Sequence, residues 1–349
     1  MNDDAKEPLA SAPTRTLVSV RRESSAPRGC CTHCGSPLIA DPTRKGVNVC
    51  PRCHKIQKAE AQVLTPGSVV GDYRVLKKLA QGGMGVLYLC CPLNDLSVRY
   101  VLKTVQFGLG EDQDVYVKRF QRETELMMRL KHENIVQVHD SWSDENSAYI
   151  IMQYIDGDTL ESLRKQNLYL FDEETVIQIM LMLADALNYA WVELKLLHRD
   201  IKPSNVMLDK EGHLYLLDFG IAKSLDSAET TVLTVAGHGL GTPGFMSPEQ
   251  FRNVTRLDCT TDIYSLGATM YYLVAGEAPF TGKTPNVIFN EMLKRDPVPL
   301  HELNPEISEN FSDLIQQTLS RDPKKRPFSW KKLIVSLERV ANGQPPLPA

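Results

Sequence analysis

The sequence predicts an α+β chain with a small metal-clasped segment ahead of it. Three observations predict this. Tyr100–Val105 and Ala148–Tyr154 read as strands, while the runs 111–130 and 176–197 read as helices. The runs 206–208 and 214–217 flank Asp209-Lys210-Glu211-Gly212, a turn-like stretch, and read as a hairpin. Finally, two C-x-x-C pairs, Cys31/Cys34 and Cys50/Cys53, fall in a stretch too small to build a core alone.

The chain has 349 residues, 42% of them hydrophobic, enough for two domains or one large domain with an appendage. A net charge of −4 provides no global field toward nucleic acid or anionic membranes. Met1-Asn2-Asp3-Asp4 opens a polar start without the apolar core of a secretory signal. The longest apolar stretch, residues 176–197, is interrupted by Asp185, Asn188, Glu193 and Lys195, so it reads as an amphipathic buried helix and not a membrane span. The expectation is a cytoplasmic chain with no membrane partner.

Residues 1–28 are rich in Ser, Ala, Pro and charge and are expected to be a disordered tail. Five of the eight cysteines then fall between residues 30 and 53. In a reducing compartment such clustering points to metal. Cys31 and Cys34 are separated by fifteen residues from Cys50 and Cys53. Gly35 and Pro51 suit the tight turns that aim two thiolates at one ion. Four thiolates complete a tetrahedron, which marks a closed, structural site. Zn²⁺ is the favoured ion and rubredoxin-like iron the alternative, with Cys30, His33 and His54 as spare candidate ligands. The segment 29–54 resembles a zinc ribbon. Lys45, Arg52, Lys55 and Lys58 are too scattered to assign it to nucleic acid. Residues 55–68, ending Thr65-Pro66-Gly67-Ser68, read as a linker.

A domain is expected over residues 69–341, with a Pro-rich tail at 342–349. Its first signal is Leu79-Ala80-Gln81-Gly82-Gly83-Met84-Gly85-Val86-Leu87, where glycines let backbone N–H groups approach phosphate oxygens. In the strand Tyr100–Val105, period two puts Lys103 between Val101 and Val105 on one face, so the lysine needs a partner. Periodicity supplies it. Tyr116, Phe120, Glu123, Met127 and Leu130 form one helical stripe, which makes Glu123 the carboxylate on the apolar face while Glu125 points elsewhere. The hairpin 206–217 brings its open ends together, so Asn205 and Asp218 should project into one place. Their oxygens are hard ligands that suit Mg²⁺ better than zinc. Asp200, five residues before Asn205, is close enough to accept a proton beside that metal.

Leu197-His198-Arg199-Asp200-Ile201-Lys202-Pro203-Ser204-Asn205, followed by Asp218-Phe219-Gly220, resembles the catalytic and metal-binding loops of eukaryotic-type protein kinases in the Ser/Thr form. Lys202, two residues after Asp200, matches the Ser/Thr class. The resemblance covers residues 69–341 and implies a two-lobed fold, β-rich then helical. It implies ATP under the glycine loop, with Ala80 and Leu87 standing where the family has Gly and Val. Lys103 matches the lysine that holds the α/β-phosphates, and Glu123 its partner. Val101 stands where the family usually has Ala against the adenine. Residues 153–158 resemble the hinge, with Gln153 and Ile155 bonding the adenine and Met152 behind it. Gly241–Gln250 resembles the peptide-binding loop in the S-P-E-Q form common among bacterial members, which implies protein substrates. Asp262 and the Glu249–Arg326 pair match structural positions. Residues 221–240 would be the activation loop. Thr234, with Thr230 and Thr231 as rivals, would be its autophosphorylation site, paired with Arg199.

Overall fold

The computed structural model describes residues 36, 39–40, 47–53, 56–58, 64–82, 85–106, 113–144, 147–167, 171–219, 243–252, 254 and 256–348. The chain divides into two compact units, Met1–Ala61 and Gln62–Ala349.

The first unit contains a three-stranded antiparallel sheet, β1 (Ile39–Ala40), β2 (Val47–Val49) and β3 (Ile56–Lys58), in that order. Residues 50–53 turn directly after β2. β3 lies inside the span read as linker. It pairs with β2 through Val47↔Lys58 and Val49↔Ile56. Three residues bounded by charge carry no alternation to announce a strand; pairing with β2 makes it one.

The second unit opens on a six-stranded antiparallel sheet with order β4-β5-β6-β7-β9-β8. Its strands are β4 (Val69–Val70), β5 (Tyr73–Gly82), β6 (Gly85–Pro92), β7 (Tyr100–Gln106), β8 (Val138–Ser143) and β9 (Ser147–Gln153). Period-two alternation sorts β6 cleanly. Val86, Tyr88 and Cys90 are buried with Val75, Leu102 and Ile151 in a small cluster on one face. Leu87 and Leu89 take the other face, beside Val101 and Lys103 of β7. Helix α1 (Gln113–Arg129) crosses that second face. Phe120, Met127 and nearby Leu130 are buried in the main core, while Glu125 is exposed.

A second, small sheet of β10 (Gly157–Thr159), β11 (Val206–Asp209) and β12 (Leu214–Leu216) starts the helical lobe. Gly157 must be glycine, because a Cβ there would meet the Leu208 carbonyl oxygen at 2.1 Å. Helix α2 (Leu160–Lys165) follows, then α3 (Glu173–Leu194). Asp172 caps α3 by accepting from the Thr175 N–H, and Glu173 and Glu174 complement its dipole. α3 is long and apolar enough to cross a membrane, but half of that window is buried inside this fold. Val176, Met180, Leu183, Ala184 and Leu187 are fully or almost fully buried. Burial of each large aliphatic chain contributes about 1.5–3 kcal/mol.

The helix Cys259–Ala275 is buried on nearly every side, its polar residues Thr260, Thr261, Asp262, Ser265 and Thr269 included. Its neighbour approaches so closely that a Cβ on Gly267 would lie 2.0 Å from Thr318 Oγ1. Helices Glu309–Thr318 and Trp330–Ala341 complete the lobe. The fold is therefore the two-lobed α+β arrangement expected above, and the segments that carry charge lie where the sheet lobe meets the helical one.

Candidate active site

The loop at 197–205 is shaped by buried polar groups. His198 is fully buried, and both ring nitrogens are used. Nε2 donates to the Leu217 carbonyl at 2.7 Å, and Nδ1 accepts from the Asp200 N–H at 3.2 Å. Burial pushes the imidazole pKa below its ordinary value, which favours the neutral ring this pattern requires. Asp262, on the central helix, accepts from the backbone N–H groups of His198 and Arg199 at 2.7 and 2.8 Å. Burial pushes its carboxyl up, against the pull of His198 and these two amides. Arg199 takes a left-handed φ of 63°. Its carbonyl accepts from Gln250 Nε2 at 2.9 Å.

This brings Asp200 to the surface of the cleft, 9% exposed. Lys202 Nζ lies 2.9 Å from Asp200 Oδ2. Asn205 Nδ2 donates to the Asp200 carbonyl at 2.8 Å and to its carboxylate at 3.0 Å. Proline at the start of the helical turn Pro203–Asn205 presets the bend that returns Asn205 to Asp200.

The hairpin β11–β12 pairs Val206 with Leu216, and the Leu217 N–H closes its open end on the Asn205 carbonyl at 2.8 Å. Asn205 and Asp218 thus flank the closed end of one hairpin. Asp218 has a φ of 47°. Phe219 is buried against the His198 ring, with centroids 4.8 Å apart.

From the other lobe, Lys103 reaches across: Nζ is 2.8 Å from Asp218 Oδ1. Lys103 is 9% exposed, between Leu87 of β6 and Ile150 of β9. Glu123 is half-buried on α1, in the stripe with Phe120 and Met127.

At the glycine loop, Gly82 and Gly85 face each other across the β5–β6 turn; Gly83 and Met84 lie outside the described residues. Gly85 has a φ of 131°, and a Cβ there would meet the Thr104 carbonyl oxygen at 1.8 Å. Leu79, Ala80 and Gln81 are exposed on β5, with Ala80 paired to Leu87. Val86, in the same loop, packs its side chain with Tyr88 and Leu102 on the face opposite Lys103, which leaves only its backbone toward the loop. Strand alternation puts the Leu87 side chain on the Lys103 face.

Leu87 and Val101 are half-buried, and Met152 is 7% exposed on β9. The Gln153 N–H is bonded to the Gln137 carbonyl at 2.9 Å, and Ile155 is buried just before Gly157. Sequence reasoning passed over two residues. His198 carries no role in the motif reading, and only Leu196-Leu197 before it hint at a buried ring. Met207 is half-buried and packs on the same core as Leu87 and Val101, and its alternation with Val206 was readable.

The helical lobe holds a second charged constellation. Arg326 is fully buried and donates to both Glu249 carboxylate oxygens at 2.7 and 3.0 Å. It also donates to the carbonyls of Thr260 and Ser320 and lies over the Tyr264 ring. Burial pushes the Glu249 carboxyl up, but Arg326 and Thr261 outweigh it and hold the pKa below its ordinary value.

A family model described as a protein kinase domain matches residues 73–335. This chain belongs to the protein kinase family. Its kinase domain is similar to the serine/threonine-protein kinase PknB of Mycobacterium leprae, 31% identical over 81% of this chain and 45% of that protein. It is also similar to the probable serine/threonine-protein kinase CPE1738 of Clostridium perfringens, 32% identical over 78% of this chain and 39% of that protein. The chain thus spans less than half the length of these two relatives. Among solved structures, the kinase domain of Mycobacterium tuberculosis PknI is similar, with a TM-score of 0.64 and 25% identity over 79% of this chain and 98% of that one.

Proposed function

We propose that this chain is an ATP-dependent protein Ser/Thr kinase that transfers the γ-phosphoryl group to Ser/Thr hydroxyls of protein substrates. The observation that carries the reading is the convergence of Lys103, Asp218, Asn205, Asp200 and Lys202 at one place from two lobes. Asp200 accepts the hydroxyl proton and aims the nucleophile. Lys202, already on Asp200 Oδ2, is placed to neutralise charge on the phosphoryl group in transit. Lys103 is held by Asp218 and is available to exchange that carboxylate for the α/β-phosphates. Asn205 and Asp218 fit Mg²⁺: with Asn205 Nδ2 committed to Asp200, Oδ1 is its ligand atom, and Asp218 adds a carboxylate. Asn205 and Asp218 would hold the ion, which would supply positive charge against the phosphate oxygens. Leu87, Val101, Met152 and Met207 supply the apolar surface for a purine. Positioning and electrostatics dominate such chemistry.

The test is transfer of labelled phosphate from ATP to a protein acceptor with Mg²⁺. Asp200→Asn should lower the rate about 10²–10⁴-fold while nucleotide affinity stays within about twofold. Wild-type rates in that variant would remove Asp200 from its role.

Autophosphorylation at Thr234, with Thr230 and Thr231 as rivals, is part of the same reading. All three lie outside the described residues, and the support is the placement of Arg199 beside Asp200. We also infer a structural Zn²⁺ held by Cys31, Cys34, Cys50 and Cys53. Cys31 and Cys34 lie outside the described residues, as do the spare ligands Cys30, His33 and His54. The other half fits: Cys50 is buried, and its Sγ accepts the Cys53 N–H at 3.5 Å, the bond a thiolate in a tight turn receives. Elemental analysis should find one zinc per chain, lost in Cys50→Ser.

A further inference from the structure

Gln250 makes contacts that the chemistry above leaves unused. It is the third residue of the short helix Pro248–Phe251. Its side chain works in two directions. Oε1 accepts from the Ser247 N–H at 3.0 Å, while Ser247 Oγ accepts from the Gln250 N–H, a reciprocal cap. Nε2 donates to the carbonyl of Arg199, 51 residues earlier in the chain.

That carbonyl belongs to the same peptide group as the Asp200 N–H, which donates to His198 Nδ1. The peptide plane between Arg199 and Asp200 is therefore pinned at both ends, by Gln250 on the oxygen and by His198 on the hydrogen. On the other side of Arg199, Asp262 holds the N–H. A left-handed conformation at a non-glycine residue persists only where its surroundings over-determine it. Arg199 has this conformation, at φ 63°. Gln250 is the member of that clamp contributed by the segment after residue 243, next in sequence to the structural carboxylate Glu249.

We propose that Gln250 is a positioning residue: it holds the Arg199–Asp200 peptide plane and so aims the Asp200 carboxylate, tying the S-P-E-Q segment to the proton acceptor. The proposal rests on the kinase reading for its catalytic consequence, but its structural content stands apart from it. A glutamate at 250 keeps the acceptor for the Ser247 N–H and loses the donor to Arg199. A methionine loses both. Two substitutions thus separate aiming from capping.

The experiment uses the full chain and three variants, Gln250→Glu, Gln250→Met and Ser329→Ala. The last removes the N-cap of the helix Trp330–Ala341, where Ser329 accepts from the Lys332 N–H, far from the cleft in function. Steady-state kinetics, melting temperature and amide hydrogen exchange over residues 197–205 are measured for each. Both Gln250 variants should lose about tenfold in kcat, with KM for ATP within about twofold of wild type. Exchange at the Asp200 amide should quicken in both. The methionine variant alone should also lose the bond to the Ser247 N–H and melt lower than the glutamate variant. Ser329→Ala should melt about 3 °C lower with kcat unchanged.

Wild-type kcat and wild-type Asp200 exchange in Gln250→Glu would overturn the proposal. So would a kcat loss that follows melting temperature across all three variants. If the wild-type chain transfers no phosphate to any protein, the kinase reading fails, and the exchange data still decide whether Gln250 holds the peptide.

Discussion

Two ion pairs in this molecule use the same chemistry for opposite ends. In the helical lobe Arg326 is fully buried and Glu249 largely so, and the arginine has four hydrogen bonds and an aromatic ring around it. Lys103 and Asp218 meet through one contact at the cleft, with the Asp218 side chain 30% exposed. The first pair is surrounded by partners that have no alternative. The second joins a buried lysine of one lobe to a partly exposed carboxylate of the other. A charge fixed by a buried network within one lobe is a fastener, and a charge that meets a partly exposed carboxylate across two lobes is a working part.

This contrast can be broken at several points. The largest effect is expected from Arg326→Met, which strands Glu249 without its cation. It should cost about 3–5 kcal/mol of stability, read by denaturant unfolding. Survival of the variant with native stability would erase the distinction. Lys103→Met should do the converse. Phosphate transfer should fall about 10²–10³-fold while stability changes by no more than about 1 kcal/mol. Equal losses in both assays would make Lys103 a fastener too.

The smallest expected effect is in the acid limb of stability. Glu249 has a folded pKa below its ordinary value of 4.5, so its contribution is present above that value and is lost as pH falls through the folded one. His198, held below 6.5 by burial, adds loss of the same sign beginning at higher pH, and Asp262, pushed up by burial, opposes it. Glu249→Gln should therefore flatten the fall of melting temperature below the ordinary carboxyl value of 4.5. An unchanged slope would show that the Arg326 pair does not set it.

Legibility followed sequence separation. That Asn205 and Asp218 flank one hairpin was readable because its register links them, and period two is a local rule. The buried stripe of α1 was readable for the same reason, as was the core position of α3. Failures arose where local pattern was thin or where a partner came from far away. Ile56–Lys58 is a strand only because Val47–Val49 lies beside it. The face that the Val86 side chain takes was not readable, because both faces of β6 are apolar. Gln250 looked like one letter of a family pattern, and nothing nearby in the chain predicts a bond to residue 199.

The residue types and their spacing settled by themselves the motifs that resemble a protein kinase and, ahead of them, the paired cysteines, because those patterns are short-range. Which groups bond the Arg199 backbone, and which cation meets Asp218, was decided only by tertiary structure. Asp262, Gln250 and Lys103 arrive from separate elements, and long-range packing of a buried helix and a twisted sheet, which no local period encodes, sets the few ångströms that turn polar neighbours into bonds.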